Sequence, residues 1–318
     1  MLLLQHRLIQ SPSGRDGKRW MPVVKLNADS AMPPGLRQQA RALPEGAPII
    51  AMIHGYRYSP SQPANDPHRH ILALDPQPDA RRVLSWPRAL GFGTDLPGEG
   101  LALAFGWEAR GRLGRAYRQA GEAGAALART ISELAECAAR PVALIGHSLG
   151  ARVALQALHH ADPGSIGRMI LLTGAEFRDA AAAAMDSAAG RRAEILNVTS
   201  RENDLFDFAI EIWLGHGQRQ ALGFGLDAPR RNWIDLQIDH GGTLDALRDL
   251  SFPVDRTPLR LSHWTPYLRE GLFDFYRTAL GQPWALPMPM LRARLPGRIE
   301  PRWSRLLAPP APMGGLRA

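Results

Sequence analysis

The chain has 318 residues, 45% of them apolar and 21% charged, enough to fill one large α/β body or two small ones. No run approaches the roughly 18 uninterrupted apolar residues that a membrane-spanning helix needs, and a single cysteine, Cys137, excludes an internal disulfide. The net charge of +8 is concentrated in residues 292–318, where six arginines stand against Glu300, without the aromatic-interleaved stripe, zinc-finger spacing or helix-turn-helix pattern of a specific nucleic-acid reader.

Met1-Leu2-Leu3-Leu4 is too short for a signal-peptide core and is broken at once by Gln5, His6 and Arg7. With the lone cysteine this gives the expectation of a cytoplasmic protein. Residues 1–26 carry two short apolar stretches around Gly14, Asp16 and Gly17, the pattern of a hairpin, and residues 27–47 read as a connection rich in Pro, Gly and Ala. Buried strands are expected at Ile49–Ile53 and Leu101–Trp107, followed by a long helix from about Leu113 to Ala139 whose middle is weakened by Gly121 and Gly124. Pro141–Ile145 reads as the next strand and Ala151–Leu158 as the helix after it. The alternation continues with strands at Arg168–Leu172 and Glu194–Thr199 and helices at Phe177–Ala189 and about Leu205–Trp213. Short strands apolar throughout, alternating with helices, indicate a mostly parallel sheet covered on both faces. The pattern weakens over 214–258, apart from a strand at Trp233–Ile238, so this segment is expected to line or cover a pocket, with Trp213, Phe224 and Trp233 as apolar walls or core. A last helix at about Tyr267–Leu280 closes a single domain of residues 1–280, and the Pro/Arg-rich tail 281–318 is expected to lie outside the core.

Between the strand ending at Ile145 and its helix stands Gly146-His147-Ser148-Leu149-Gly150, the G-x-S-x-G form of a nucleophile elbow. The glycines are required because a Cβ on either side of the strained serine would collide with neighbouring backbone. A serine hydroxyl is a poor nucleophile near neutral pH and needs an imidazole to take its proton and a carboxylate to orient that imidazole. On such an elbow the acid and then the histidine follow the serine in the chain. Asp204, a few residues past the strand ending at Thr199, suits the acid, although it could simply cap the next helix; Glu202 and Asp207 are alternatives. His263, just ahead of the last helix, suits the base, with His240 as its rival. Backbone N–H groups to hold an oxyanion would come from Leu149 and from Tyr56, where Gly55 permits close approach. His54 is expected to brace that loop, and His68 and His70 to belong to a polar loop, so no metal site is expected.

His54-Gly55-Tyr56, the strand ending Phe105-Gly106-Trp107 and the elbow together resemble a group of bacterial serine hydrolases within the α/β-hydrolase superfamily. The resemblance spans about residues 48–280; Gly106 and Glu108 depart from the Ser and Pro usual in that group. It implies an α/β-hydrolase fold with a mostly parallel sheet of about eight strands, no cofactor, and a Ser148–Asp204–His263 triad. The expected activity is cleavage of a small-molecule carboxylic ester or thioester. A hydrolase-like binding protein without turnover is the alternative.

Overall fold

The computed structural model describes residues 22–77, 83–96 and 98–307. Seven strands are found there: β1 (Val23–Asn27), β2 (Ile49–Ile53), β3 (Leu101–Gly106), β4 (Val142–His147), β5 (Ile166–Leu172), β6 (Glu194–Thr199) and β7 (Trp233–Gln237). They form one sheet in the order β1-β3-β2-β4-β5-β6-β7 and every neighbouring pair is parallel. The six expected strands are present. The seventh, β1, pairs in parallel with β3 at the sheet edge; it was expected as one arm of a hairpin whose other arm lies outside the described residues. About eight strands were expected, and the described residues supply seven.

The helices are α1 (Leu36–Arg41), α2 (Trp86–Ala89), α3 (Leu113–Ala138), α4 (Leu149–Ala157), α5 (Arg178–Asp186), α6 (Asp204–Trp213), α7 (Gly241–Asp249), α8 (Thr265–Leu268), α9 (Leu272–Gly281) and α10 (Met288–Arg294). Successive strand residues point to opposite faces, and β2 shows the consequence. Ile49, Ala51 and Ile53 join a core with α1, α3, α4 and α5, whereas Ile50 and Met52 join a second core with α2, α7, α9 and α10. Both faces of the sheet are therefore covered, as uniformly apolar strands require.

Three segments are resolved by packing that the sequence pattern alone does not show. α3 runs unbroken through Gly121 and Gly124, because a Cβ on Gly124 would stand 2.6 Å from Gln156 Cβ and 2.8 Å from the Val153 carbonyl of α4. That glycine permits helix contact, a gain that outweighs its low propensity. The segment 214–258 is more regular than its pattern suggests: Trp233 opens β7 with its side chain buried, and Leu244 and Leu247 of α7 pack in the second core. The tail is not outside the core, since Leu286, Met288, Leu291 and Leu295 are all buried against that core.

The chain leaves β2 toward β3 on one side and leaves β4 toward β5 on the other. Adjacent parallel strands whose connections diverge open a crevice at their carboxyl ends. Ile53 and Gly146 are register partners across that divide, so the loop at residues 54–57 and the turn at Ser148 lie side by side. Leu291 is fully buried, and Leu291→Ala is expected to cost about 2–5 kcal/mol of stability. Equilibrium urea unfolding checks this, and an unchanged midpoint would mean that the tail is dispensable to the core.

Candidate active site

Ser148 sits between β4 and α4 with φ 55° and ψ −122°, far from the regions that side chains ordinarily adopt. A Cβ on Gly146 would come 2.6 Å from the Gly150 carbonyl oxygen, and one on Gly150 would come 2.4 Å from that of Ile53. A Cβ on Gly55 would reach 2.9 Å from both Ser148 Cβ and the His147 carbonyl. The 54–57 loop is thus pressed against the serine. Tyr56 N–H and Leu149 N–H, which flank it, donate to no acceptor among the described residues.

His54 fixes that loop. Its Nδ1–H donates to the Gly55 carbonyl at 2.9 Å, while Nε2 accepts from Trp107 N–H at 3.0 Å and the Trp107 indole N–H donates to the His54 carbonyl at 3.1 Å. Its burial lowers its pKa to about 3, so it stays neutral and keeps that tautomer. Gly106 is required beside it: a Cβ there would meet Asn27 Oδ1 at 2.5 Å and His68 Nε2 at 2.7 Å. Glu108 turns inward, accepting from Ser59 Oγ at 2.5 Å and from Arg110 N–H at 3.0 Å. Nor is there a metal-ligating cluster among the described residues: His68 bonds Asn27 and His70 bonds Tyr58.

His263 is brought to this same end of the sheet. Its carbonyl accepts from His147 Nε2–H at 2.9 Å and from Thr173 Oγ at 3.4 Å, and its ring lies 4.6 Å from the His147 ring and 4.6 Å from Phe206, on which it stacks. The elbow residue His147 therefore holds the histidine loop directly. Burial, with a smaller contribution from His147, keeps His263 well below its ordinary pKa; burial likewise lowers His147 to about 4.

The residue facing His263 is Asn203, not Asp204. His263 Nδ1 is 2.7 Å from Asn203 Oδ1, and Asn203 Nδ2–H donates to Asp207 Oδ1 at 2.9 Å. Because the amide uses its nitrogen on the carboxylate, its oxygen must accept, which places the imidazole proton on Nδ1 and leaves Nε2 as a lone pair. Asp204 is turned the other way, toward Arg201 Nη1 at 3.1 Å and Trp303 N–H at 2.6 Å. One turn of helix separates Asp204 and Asp207 on the same buried stripe, and the tail's backbone claims the first. Glu202, an alternative acid, is also engaged elsewhere. Glu202 Oε1 accepts from Arg269 Nη2 at 2.6 Å and from Leu259 N–H at 3.1 Å, bracing the loop that carries His263. His240 precedes α7 shortly after β7, and its Nδ1 is buried without a hydrogen-bond partner among the described residues.

Asn203 and the role of Asp207 were missed from the sequence because a turn-forming asparagine is a common helix opener. A usable signal was present in α6: Asp204, Asp207 and Glu211 share one face while Leu205, Phe208 and Ile212 share the opposite one. Behind that acidic face, Arg302 bonds both Glu211 oxygens at 2.6 and 2.7 Å, and Arg305 meets Asp239 at 2.9 Å. Two of the tail's six arginines are thus ion-paired within the protein, Arg302 with Glu211 and Arg305 with Asp239. A cavity of about 640 Å³ bounded by Arg178, Phe224, Asp235 and Arg302 lies beside this cluster, and neither Ser148 nor His263 contributes to its walls.

A family model described as "Protein of unknown function (DUF726)" matches residues 113–177, from α3 through the elbow to the start of α5. It contains Ser148 but neither the 54–57 loop, Asn203 nor His263. Among curated proteins none matches the chain.

Burial pushes the Asp207 carboxyl up to about 7. An acid whose folded pKa is raised loses stability as pH climbs from its unfolded value to its folded one, here from about 4 to about 7. The stability gap between Asp207→Asn and the wild type is expected to move in the variant's favour across that window, by on the order of a few kcal/mol, and to stay constant above it. Thermal melts at several pH values check this; a gap independent of pH would show that the carboxyl is not perturbed.

Proposed function

We propose that this chain is a serine hydrolase of the α/β-hydrolase type, cleaving a carboxylic ester or thioester through an acyl-enzyme. The observation that carries the reading is the strained Ser148 at a divergent strand pair, with an imidazole of defined tautomer held to the same elbow by His147. The same geometry supports a Ser–His–Asn arrangement backed by Asp207, in place of the aspartate triad expected from the sequence.

In this mechanism Ser148 Oγ attacks the acyl carbon while its proton passes to His263 Nε2. The Leu149 and Tyr56 N–H groups hold the oxyanion, a contribution worth about 3 kcal/mol per donor in comparable sites. Collapse expels the alcohol or thiol, which takes the proton from His263. Water, deprotonated by the same nitrogen, then attacks the acyl-enzyme and releases the acid. Asn203 and His147 are positioning residues: one fixes the ring's tautomer, the other the backbone of its loop. A neutral amide supplies orientation but no charge to the imidazolium, and Asp207 one bond further out supplies that charge when ionised.

A fluorophosphonate probe is expected to label the wild type and not Ser148→Ala; equal labelling of both would defeat the assignment of the nucleophile. His263→Ala is expected to lower kcat on an acyl p-nitrophenyl ester by about 10⁴-fold, and His240→Ala by less than about threefold. Since the base is neutral until pH falls well below 6.5, the limb due to His263 should lie at acidic pH. A second inflection near 7 is expected in the wild type and absent in Asp207→Asn.

A further inference from the structure

Helix α6 is inverted with respect to an ordinary surface helix. Its Asp204, Asp207 and Glu211 are buried, whereas Leu205, Phe208 and Ile212 are 41–47% exposed and Trp213 is 69% exposed. A surface helix normally turns its apolar stripe inward. The outward stripe begins beside Phe206, whose ring stacks on His263, and near its start Leu259 and Leu261 are also exposed on the loop that bonds Glu202. A contiguous apolar face at the mouth of a crevice marks an interaction surface.

Charge at its edge identifies the partner. At the far end of α6, Leu214 approaches Gly114 at the start of α3, and the adjoining surface carries Arg112 and Arg115, both exposed. Arg57 continues this edge: its N–H donates to the Ala109 carbonyl and its guanidinium lies over Tyr56, whose hydroxyl bonds the Gly111 carbonyl. None of Arg57, Arg112 and Arg115 has an ion-pair partner among the described residues, and the nearby Glu108 is turned inward to Ser59. An apolar face rimmed by unpaired cations is the composition of a helix that lies in an anionic bilayer interface. A second copy of the chain fits less well, because a two-fold contact through this face would oppose the arginine edges.

We propose that the outward face of α6 and the Arg57–Arg112–Arg115 edge dock this protein on a phospholipid surface rich in anionic headgroups, with the crevice above Ser148 turned toward it. The proposal does not rest on the hydrolase reading, since docking requires neither Ser148 nor turnover.

Co-sedimentation of the full chain with vesicles of phosphatidylcholine alone, and of equimolar phosphatidylcholine and phosphatidylglycerol, tests it. Wild type and Ser148→Ala are expected to bind the anionic vesicles equally, with partitioning that falls on adding salt. The Arg112→Gln/Arg115→Gln double variant should lose about fivefold per arginine on anionic vesicles. The Ile212→Ser/Trp213→Ser variant should lose at least about tenfold. These side chains are exposed, so melting curves like the wild type's are expected and show that any loss is not unfolding. Absence of wild-type binding, or binding by either double variant equal to the wild type's, would overturn the proposal. So would a wild-type dimer, seen by sedimentation equilibrium, that the Ile212→Ser/Trp213→Ser change dissociates.

Discussion

Ser148 can hold its left-handed backbone only because three backbones approach it where a side chain would forbid them. Gly146 and Gly150 clear the turn itself, and Gly55 lets the loop after β2 close against the serine. A non-glycine residue at φ 55° costs on the order of 1–3 kcal/mol and persists only where its surroundings over-determine it. Here the surroundings are the central strands. Ser148 N–H donates to the Leu172 carbonyl of β5 at 3.0 Å, and its own carbonyl accepts from Ala175 N–H at 3.0 Å. The elbow is therefore pinned to a sheet buried on both faces and cannot relax without disturbing it.

The same elbow organises what lies above it. His147 cannot serve as a separate base, because its Nε2 proton is committed to the His263 carbonyl and its burial keeps it neutral. Its use is positional: it ties a loop from 116 residues downstream to the strand that carries the serine. Asn203 completes the fixing of His263 from the other side, at the junction of β6 and α6. A neutral asparagine there is compatible with the dry setting, since a buried carboxylate bonded directly to a neutral imidazole would cost more to desolvate than an amide does.

Helix α6 links this arrangement to the tail. Its carboxylates face inward and would be unsupportable alone, so the arginines of residues 302 and 305, together with Arg201, are drawn into the same region. Arg201 is fully buried, lies 4.2 Å over the Phe224 ring and donates to the Gly223 carbonyl. Removing an acid from that face would leave a buried cation uncompensated, which is the costly half of a buried ion pair. Of the helix's apolar residues only Ile210 reaches the core and Phe206 packs on His263, while Leu205, Phe208, Ile212 and Trp213 remain on the outside beside the crevice.

Much of the sheet was legible because buried parallel strands are apolar on both faces: β2, β3 and β4 stand out as short apolar runs, and β5, β6 and β7 as runs broken only by one or two polar residues. The elbow was legible for a different reason: a strained turn admits few residues, so its glycines are visible as a pattern. The helices α1, α7 and α10 were not, since α7 opens on Gly241-Gly242 and α1 and α10 lie among prolines, where local propensity points to loops. Tertiary packing of Leu36, Leu247 and Leu291 decided them instead. The partner of His263 was undecidable in one dimension. Asn203, Asp204 and Asp207 lie within four positions, and which of them faces an imidazole 60 residues away depends on the phase of one helix and on Trp303 N–H claiming Asp204. Composition and periodicity determine which segments are buried; only the packed chain decides which neighbouring polar group is left to point where.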